Sequence, residues 1–390
     1  MCRHDLPTEP PYCCRSRCWP FPHRDRVAAQ SRGLGTDPIH LTRPSWPCSD
    51  IIQRGQALRS LSALAALLVL LAGCSSGQST TRRSARPALS IAPPSGRPCD
   101  APTGVTNIML RGGGATHAVS IFVPRVATMS ASGTLPVVIN WPALGLTGTQ
   151  EAMVTDYDPL AQSQGFIVAY PTGVPSNDLS QDSWQLVNTY DPQRNDLAFA
   201  NRLIDTLIAQ WCANPARVYS TGYSNGAFFT ARLVCQLADR IAAAVMVAGV
   251  YHPAGCTPAR PVPMYAYHGT ADASIPYNGG GKSILVGSGW PGIKGFFNDV
   301  IPDEFAKFAA DFKCDPGPLS TRIGSDVIRY EYVGCEHGVP MSFFEIVGGG
   351  HTWPGSPLAS VLAPFGHTTN TVNATTDGWA FMKSHSLGGG

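Results

Sequence analysis

Thr221-Gly222-Tyr223-Ser224-Asn225-Gly226 divides two segments of different periodicity. Before it, Val218-Tyr219-Ser220-Thr221 reads as the end of a strand; after it, residues 227–237 read as a helix. A serine with glycine two places away on either side, at a strand-to-helix junction, describes a very sharp turn. A Cβ at either glycine position would collide with the neighbouring strand or helix. Such a turn lifts the serine Oγ clear of a sheet, and the first N–H groups of the following helix point at any negative charge developing beside it. Ser224 is therefore the candidate nucleophile, and the Asn225 N–H a candidate oxyanion donor.

Working outward, apolar runs at 135–140, 166–170, 242–248 and 262–267 read as buried strands. Residues 108–110 and 118–123 read as an opening antiparallel pair about Gly112-Gly113-Gly114, and 327–333 and 342–347 as late strands. Between them, helices are expected over 150–163, 196–211, 302–312 and 376–384. In the second of these, Leu197, Phe199, Ala200, Leu203, Ile204 and Leu207 fall at helical spacing. Strands alternating with helices imply an α/β fold, a doubly wound, mostly parallel sheet.

Acyl transfer by serine needs a base for the hydroxyl proton and an acid to orient that base. In the α/β-hydrolase type of sheet the chain order is serine, acid, histidine. Both partners occur in that order, each just beyond a strand: Asp272 in His268-Gly269-Thr270-Ala271-Asp272, and His351 in Gly348-Gly349-Gly350-His351. Loops past strand C-termini are where such sheets gather catalytic groups. Asp272 also suits a turn-former and His351 a packed structural histidine. His268 is the rival base, expected to orient the acid loop; Asp299, Asp303 and Asp326 are weaker acid candidates. The second oxyanion donor is expected from Ala143 or Leu144, after the strand 135–140, because Pro142 has no N–H. Tyr223, Trp184, Trp290 and Trp353 are candidates for an apolar substrate pocket.

The chain has 390 residues, and a formal charge of only +2 gives no field to recruit nucleic acid. Arg54 and Arg59 precede the apolar run 61–71, which leads into Leu71-Ala72-Gly73-Cys74, a pattern resembling a bacterial lipobox. Residues 54–73 are thus expected to be a lipoprotein signal peptide, with Cys74 lipidated, 74–98 a flexible tether, and 99–390 the catalytic domain; an uncleaved anchor helix is the alternative. Residues 1–53 fit nothing downstream and are expected to be a non-native or disordered extension. Their cysteines lack two clean C-x-x-C pairs, which argues against zinc. Six cysteines remain in the body. Their expected pairs are Cys235–Cys256 and Cys314–Cys335, with Cys99–Cys212 left over, although six cysteines permit fifteen connectivities.

Several stretches together resemble the exported esterase family of polyhydroxybutyrate depolymerases and feruloyl or acetylxylan esterases. They are the 165–171 run Gly-Phe-Ile-Val-Ala-Tyr-Pro, Asn214-Pro215-Ala216-Arg217-Val218-Tyr219, Gly222-Tyr223-Ser224-Asn225-Gly226, His268-Gly269-Thr270-Ala271-Asp272 with Pro276-Tyr277, and Gly349-Gly350-His351-Thr352-Trp353-Pro354-Gly355. The resemblance spans about 107–387. It implies Ser224 as nucleophile, Asp272 as acid and His351 as base, with no metal or organic cofactor, and an ester substrate such as a polyester or esterified polysaccharide. One departure is Pro142-Ala143, where the family carries His-Gly; it bears on the second oxyanion donor. The expected activity is an extracytoplasmic serine esterase. Acyl transfer to a cell-envelope acceptor, or a surface binding protein on a hydrolase scaffold, are the alternatives.

Overall fold

The structure is a computed structural model describing residues 101–125, 133–176, 179–186, 193–280 and 299–388. Cys74, Cys99 and Trp290, with everything expected of residues 1–100, lie outside the described residues.

Its frame is a 10-stranded sheet. At its centre run β3 (Leu135–Trp141), β4 (Ile167–Pro171), β7 (Ala213–Tyr223), β8 (Ala243–Val247), β9 (Met264–Gly269) and β12 (Met341–Ile346). They lie in the order β4-β3-β7-β8-β9-β12, every neighbouring pair parallel. Antiparallel strands close both edges: β1 (Gly104–Gly112) and β2 (Ala115–Val123) on β4, β11 (Val327–Tyr332) and β10 (Leu319–Ile323) on β12. A small hairpin, β5 (Val174–Ser176) with β6 (Leu179–Ser183), stands apart. This is the doubly wound, mostly parallel sheet of the α/β-hydrolase type.

The central strands are apolar almost throughout because both faces are covered. In β3, Val137, Ile139 and Trp141 face one core with α3 (Asp196–Gln210), α4 (Asn225–Gln236) and α5 (Ile301–Asp311). Val138 faces the other, with residues of α1 (Gly148–Thr155), α2 (Tyr157–Gln164) and α6 (Ala374–Met382). A single helix was expected over 150–163. Instead α1 and α2 are separated by Asp156 in the left-handed region, φ 54°. Pro159 is the reason: it has no N–H to offer the Thr155 carbonyl, which accepts from the Thr375 hydroxyl instead.

Two disulfides match expectation. Cys235–Cys256 ties α4 to the segment after β8, and Cys314–Cys335 ties the segment after α5 to the segment after β11. Cys212 is also disulfide-bonded; Cys99, its expected partner, is outside the described residues. Among the described residues, no helix is long and apolar enough to cross a membrane.

Candidate active site

The elbow follows from two close approaches. β7 ends at Tyr223 and α4 starts at Asn225, leaving Ser224 alone in the turn at φ 55°, ψ −115°. A Cβ on Gly222 would come within 2.4 Å of the Gly226 backbone, and one on Gly226 within 1.8 Å of the Trp141 carbonyl oxygen. Only glycine at both places lets strand and helix meet. The Ser224 N–H donates to the Val247 carbonyl at 2.9 Å, fixing the strained turn to β8. Strain of this kind persists only where the surroundings over-determine it.

Asn225 does more than open the helix. Its Oδ1 accepts from the Trp184 N–H at 2.6 Å, and its Nδ2 donates back to the Trp184 carbonyl at 3.2 Å. With its side chain spent, Asn225 can offer the site only its backbone N–H, one of the first helical N–H groups that have no intrahelical acceptor.

The loops carrying Asp272 and His351 lie side by side beyond β9 and β12. The Ala271 N–H donates to the Gly349 carbonyl at 2.9 Å and the Gly348 N–H to the Thr270 Oγ1 at 2.8 Å. Asp272 Oδ2 accepts from His351 Nδ1 at 2.7 Å, while Oδ1 accepts the N–H groups of Ser274 and Ile275 at 2.8 and 2.7 Å. Burial alone would raise the Asp272 carboxyl. The charge and hydrogen bond of His351, the charge of His268 and the Ile275 N–H outweigh it and hold the group below the ordinary carboxylate range. His351 is held from its other side by the Tyr223 hydroxyl, which donates to its backbone carbonyl.

His268 is the supporting histidine. Its Nε2 faces two acceptors, the Ile275 carbonyl at 2.8 Å and Asp272 Oδ2 at 3.4 Å, so that nitrogen carries the proton. Burial lowers its pKa, against the Asp272 charge and the Ile275 carbonyl. Asp299 and Asp326 are engaged elsewhere, by Lys307 and Thr371, and Asp303 sits in the first turn of α5.

Ser224 and His351 line one cavity of about 360 Å³. Tyr223, Ala143 and Leu144 also line it. Trp184 and Trp353 do not. Trp184 packs in the core against Trp141, Phe199 and Phe229, its indole N–H given to the Pro142 carbonyl at 3.1 Å. Trp353 is wholly buried against Tyr157 and Tyr223, with its N–H on Thr375 Oγ1 at 2.9 Å. In both cases the ring's single donor is satisfied inside the protein, leaving no polar edge for a ligand. The cavity wall comes largely from Leu146, Met153, Leu358, Val361, Leu362 and Phe365, which the sequence reading missed. The signal was present: 358, 361, 362 and 365 are apolar at i, i+3, i+4 and i+7.

The loop after β3 carries both residues expected to offer a second oxyanion donor. Pro142 has no N–H. The Ala143 N–H donates to Glu151 Oε2 at 3.3 Å, the Gly145 N–H to the Asp182 carbonyl at 2.8 Å and the Leu146 N–H to the Ala143 carbonyl at 3.0 Å. Among the described residues, the Leu144 N–H alone of this loop is left without an acceptor. Of the two expected donors, Ala143 is thus occupied and Leu144 free.

His252, Cys256 and Asp311 also cluster, with ligand atoms within 4.8 Å. The Cys256 sulfur is in the disulfide with Cys235, which removes the thiolate a metal would need.

No protein-family model matches the chain. Feruloyl esterase B of Piromyces equi is 29% identical over 65% of this chain and 42% of its own length. The bifunctional acetylxylan esterase/xylanase XynS20E of Neocallimastix patriciarum is 23% identical over 61% of this chain and 31% of its own. Acetylxylan esterase A of Emericella nidulans is 34% identical over 35% of this chain and 42% of its own. The chain therefore spans less than half the length of these curated relatives. Over these stretches the chain is similar in sequence to feruloyl and acetylxylan esterases.

Proposed function

We propose that the chain is an exported carboxylic ester hydrolase working through Ser224, His351 and Asp272. The observation that carries the reading is the 2.7 Å His351–Asp272 pair opening onto the same cavity as a strained elbow serine. Asp272 fixes the proton on Nδ1, leaving Nε2 of His351 as the acceptor for the Ser224 proton. Ser224 Oγ attacks the ester carbonyl. The oxyanion is held by the N–H groups of Asn225 and Leu144. His351 then protonates the leaving alcohol, and water, deprotonated by the same imidazole, hydrolyses the acyl-enzyme. Removing one such backbone donor typically costs about 10²–10³ in turnover, so a free Leu144 N–H supports activity despite the Pro142-Ala143 departure.

The cavity wall supports an apolar acyl group larger than acetyl, of feruloyl or hydroxyalkanoyl type. Met153, Val361 and Phe365, which are 54, 62 and 50% exposed, extend that apolar surface to the rim. Each buried CH₂ of the acyl chain stabilises binding by about 0.8 kcal/mol. The test is a panel of p-nitrophenyl acetate, butyrate and octanoate with methyl ferulate. Expected are kcat/KM values rising about tenfold or more from acetate to the best larger ester, and turnover abolished in Ser224→Ala and His351→Ala. A preference for acetate would refute the acyl assignment, and undiminished turnover in either variant would refute the mechanism. Lipid attachment at Cys74 is supported by the Leu71-Ala72-Gly73-Cys74 pattern. A fatty-acid label that persists in Cys74→Ser would exclude it.

A further inference from the structure

Glu151 stands on α1, directly behind the oxyanion loop, and is wholly buried. The helix is rigidly mounted there. Thr147 and Gln150 form a reciprocal cap at its start, and the Gly148 N–H donates to Thr172 Oγ1 at 2.9 Å. Glu151 Oε2 receives the Ala143 N–H, while Oε1 has no hydrogen-bond partner. Among the described residues no ion pair reaches the carboxyl. A bare carboxylate in such a place costs several kcal/mol, and a proton removes that cost. We propose that Glu151 is a positioning residue for catalysis: its side chain captures the Ala143 N–H and so sets the loop from which the Leu144 N–H serves the oxyanion.

Three observations point the same way. Every other N–H of the loop is committed within the protein, so the carboxyl oxygen is the one side-chain acceptor deciding which N–H remains. Burial raises the Glu151 carboxyl well above the ordinary range, with only the Ala143 N–H acting against it. The groups facing Glu151 supply no positive charge: they are Tyr157 from α2, Tyr170 from β4, hydrogen-bonded in turn to Asp158, and Tyr223 from β7. The neutral acid can hold the N–H without setting a negative charge beside the developing oxyanion. Ionisation would place one there and oppose the reaction.

The inference rests on the serine-esterase reading, and the experiment separates the two. We would measure kcat and KM for p-nitrophenyl butyrate against pH for the intact protein, Glu151→Gln, Glu151→Ala and Ser224→Ala, with circular dichroism as a check on folding. A reacting group misplaced by about 1 Å costs on the order of 10²-fold. Expected is a fall in kcat of roughly that size in Glu151→Ala with KM changed less than about threefold. Glu151→Gln, an isosteric neutral acceptor, should keep kcat within about threefold and lack the decline with rising pH that ionisation of Glu151 causes in the wild type. The proposal is overturned if a folded Glu151→Ala keeps its kcat, if Glu151→Gln is as impaired as Glu151→Ala, or if wild type and Glu151→Gln have superimposable pH profiles. Should Glu151→Ala fail to fold, the Glu151→Gln turnover and profile decide. Turnover surviving in Ser224→Ala would instead remove the underlying reading.

Discussion

Asp272 shows how much one carboxylate is asked to do. It accepts from one histidine, lies 3.4 Å from a second and takes two backbone N–H groups, all while buried. Its folded pKa is depressed, so the unfolded chain binds the proton more readily. The stabilisation is then fully present above the unfolded carboxylate value, about 4, and is lost as pH falls through the lower folded value. Asp272→Asn is expected to fold but to lose about 10³–10⁴ in kcat, because the amide no longer fixes the His351 tautomer. Its melting temperature should also change less than the wild type's on going from pH 6 to pH 3. A kcat within tenfold of wild type would contradict the assigned role. At this scale the sequence was partly legible. Ser224, Asp272 and His351 each follow a buried strand, and position relative to the sheet marked them. Glu151 was illegible, because a glutamate in the first turn of a helix reads as a solvent-facing charge until the packing is seen. Trp184 and Trp353 failed for a related reason: an indole ring looks the same in a core as in a pocket.

At the scale of elements, the elbow is a packing problem that glycine solves. Gly226 touches the end of β3 so closely that a methyl group would meet the Trp141 carbonyl at 1.8 Å. The same contact brings α4 against the loop after β3, so in the proposed mechanism stability and catalysis share it. Gly226→Ala is therefore expected to lower unfolding free energy by about 3 kcal/mol or more, toward the upper end of overpacking costs, and to abolish esterase activity in whatever folds. Urea denaturation with a midpoint unchanged from wild type would show that strand and helix can separate without penalty. Central strands were readable because burial on both faces leaves unbroken apolar runs. β10 was not: Leu319–Ile323 is almost wholly exposed at the sheet edge, so it carries no hydrophobic signature. The break between α1 and α2 was written in Pro159, but apolar spacing across it masked the interruption.

For the molecule as a whole, the sheet brings together loops 79 residues apart in sequence at Asp272 and His351, and a serine from a third strand. The strand order allows this, since β7, β8, β9 and β12 are consecutive neighbours and end on the same side. Disulfides reinforce that frame: Cys235–Cys256 holds the helix that begins at the elbow, across a sequence separation of 21. Closing a loop of that size is commonly worth about 3 kcal/mol. Ser224 and His351 on one cavity, with Asp272 hydrogen-bonded behind His351, form the arrangement on which the proposed ester hydrolysis rests. It is tested most directly by treating the folded protein with a fluorophosphonate probe, digesting it and locating the adduct by mass spectrometry. The account requires a single adduct, on Ser224, with labelling lost in Ser224→Ala and slowed at least about 10²-fold in His351→Ala. An adduct on another residue, or labelling untouched by either substitution, would contradict it.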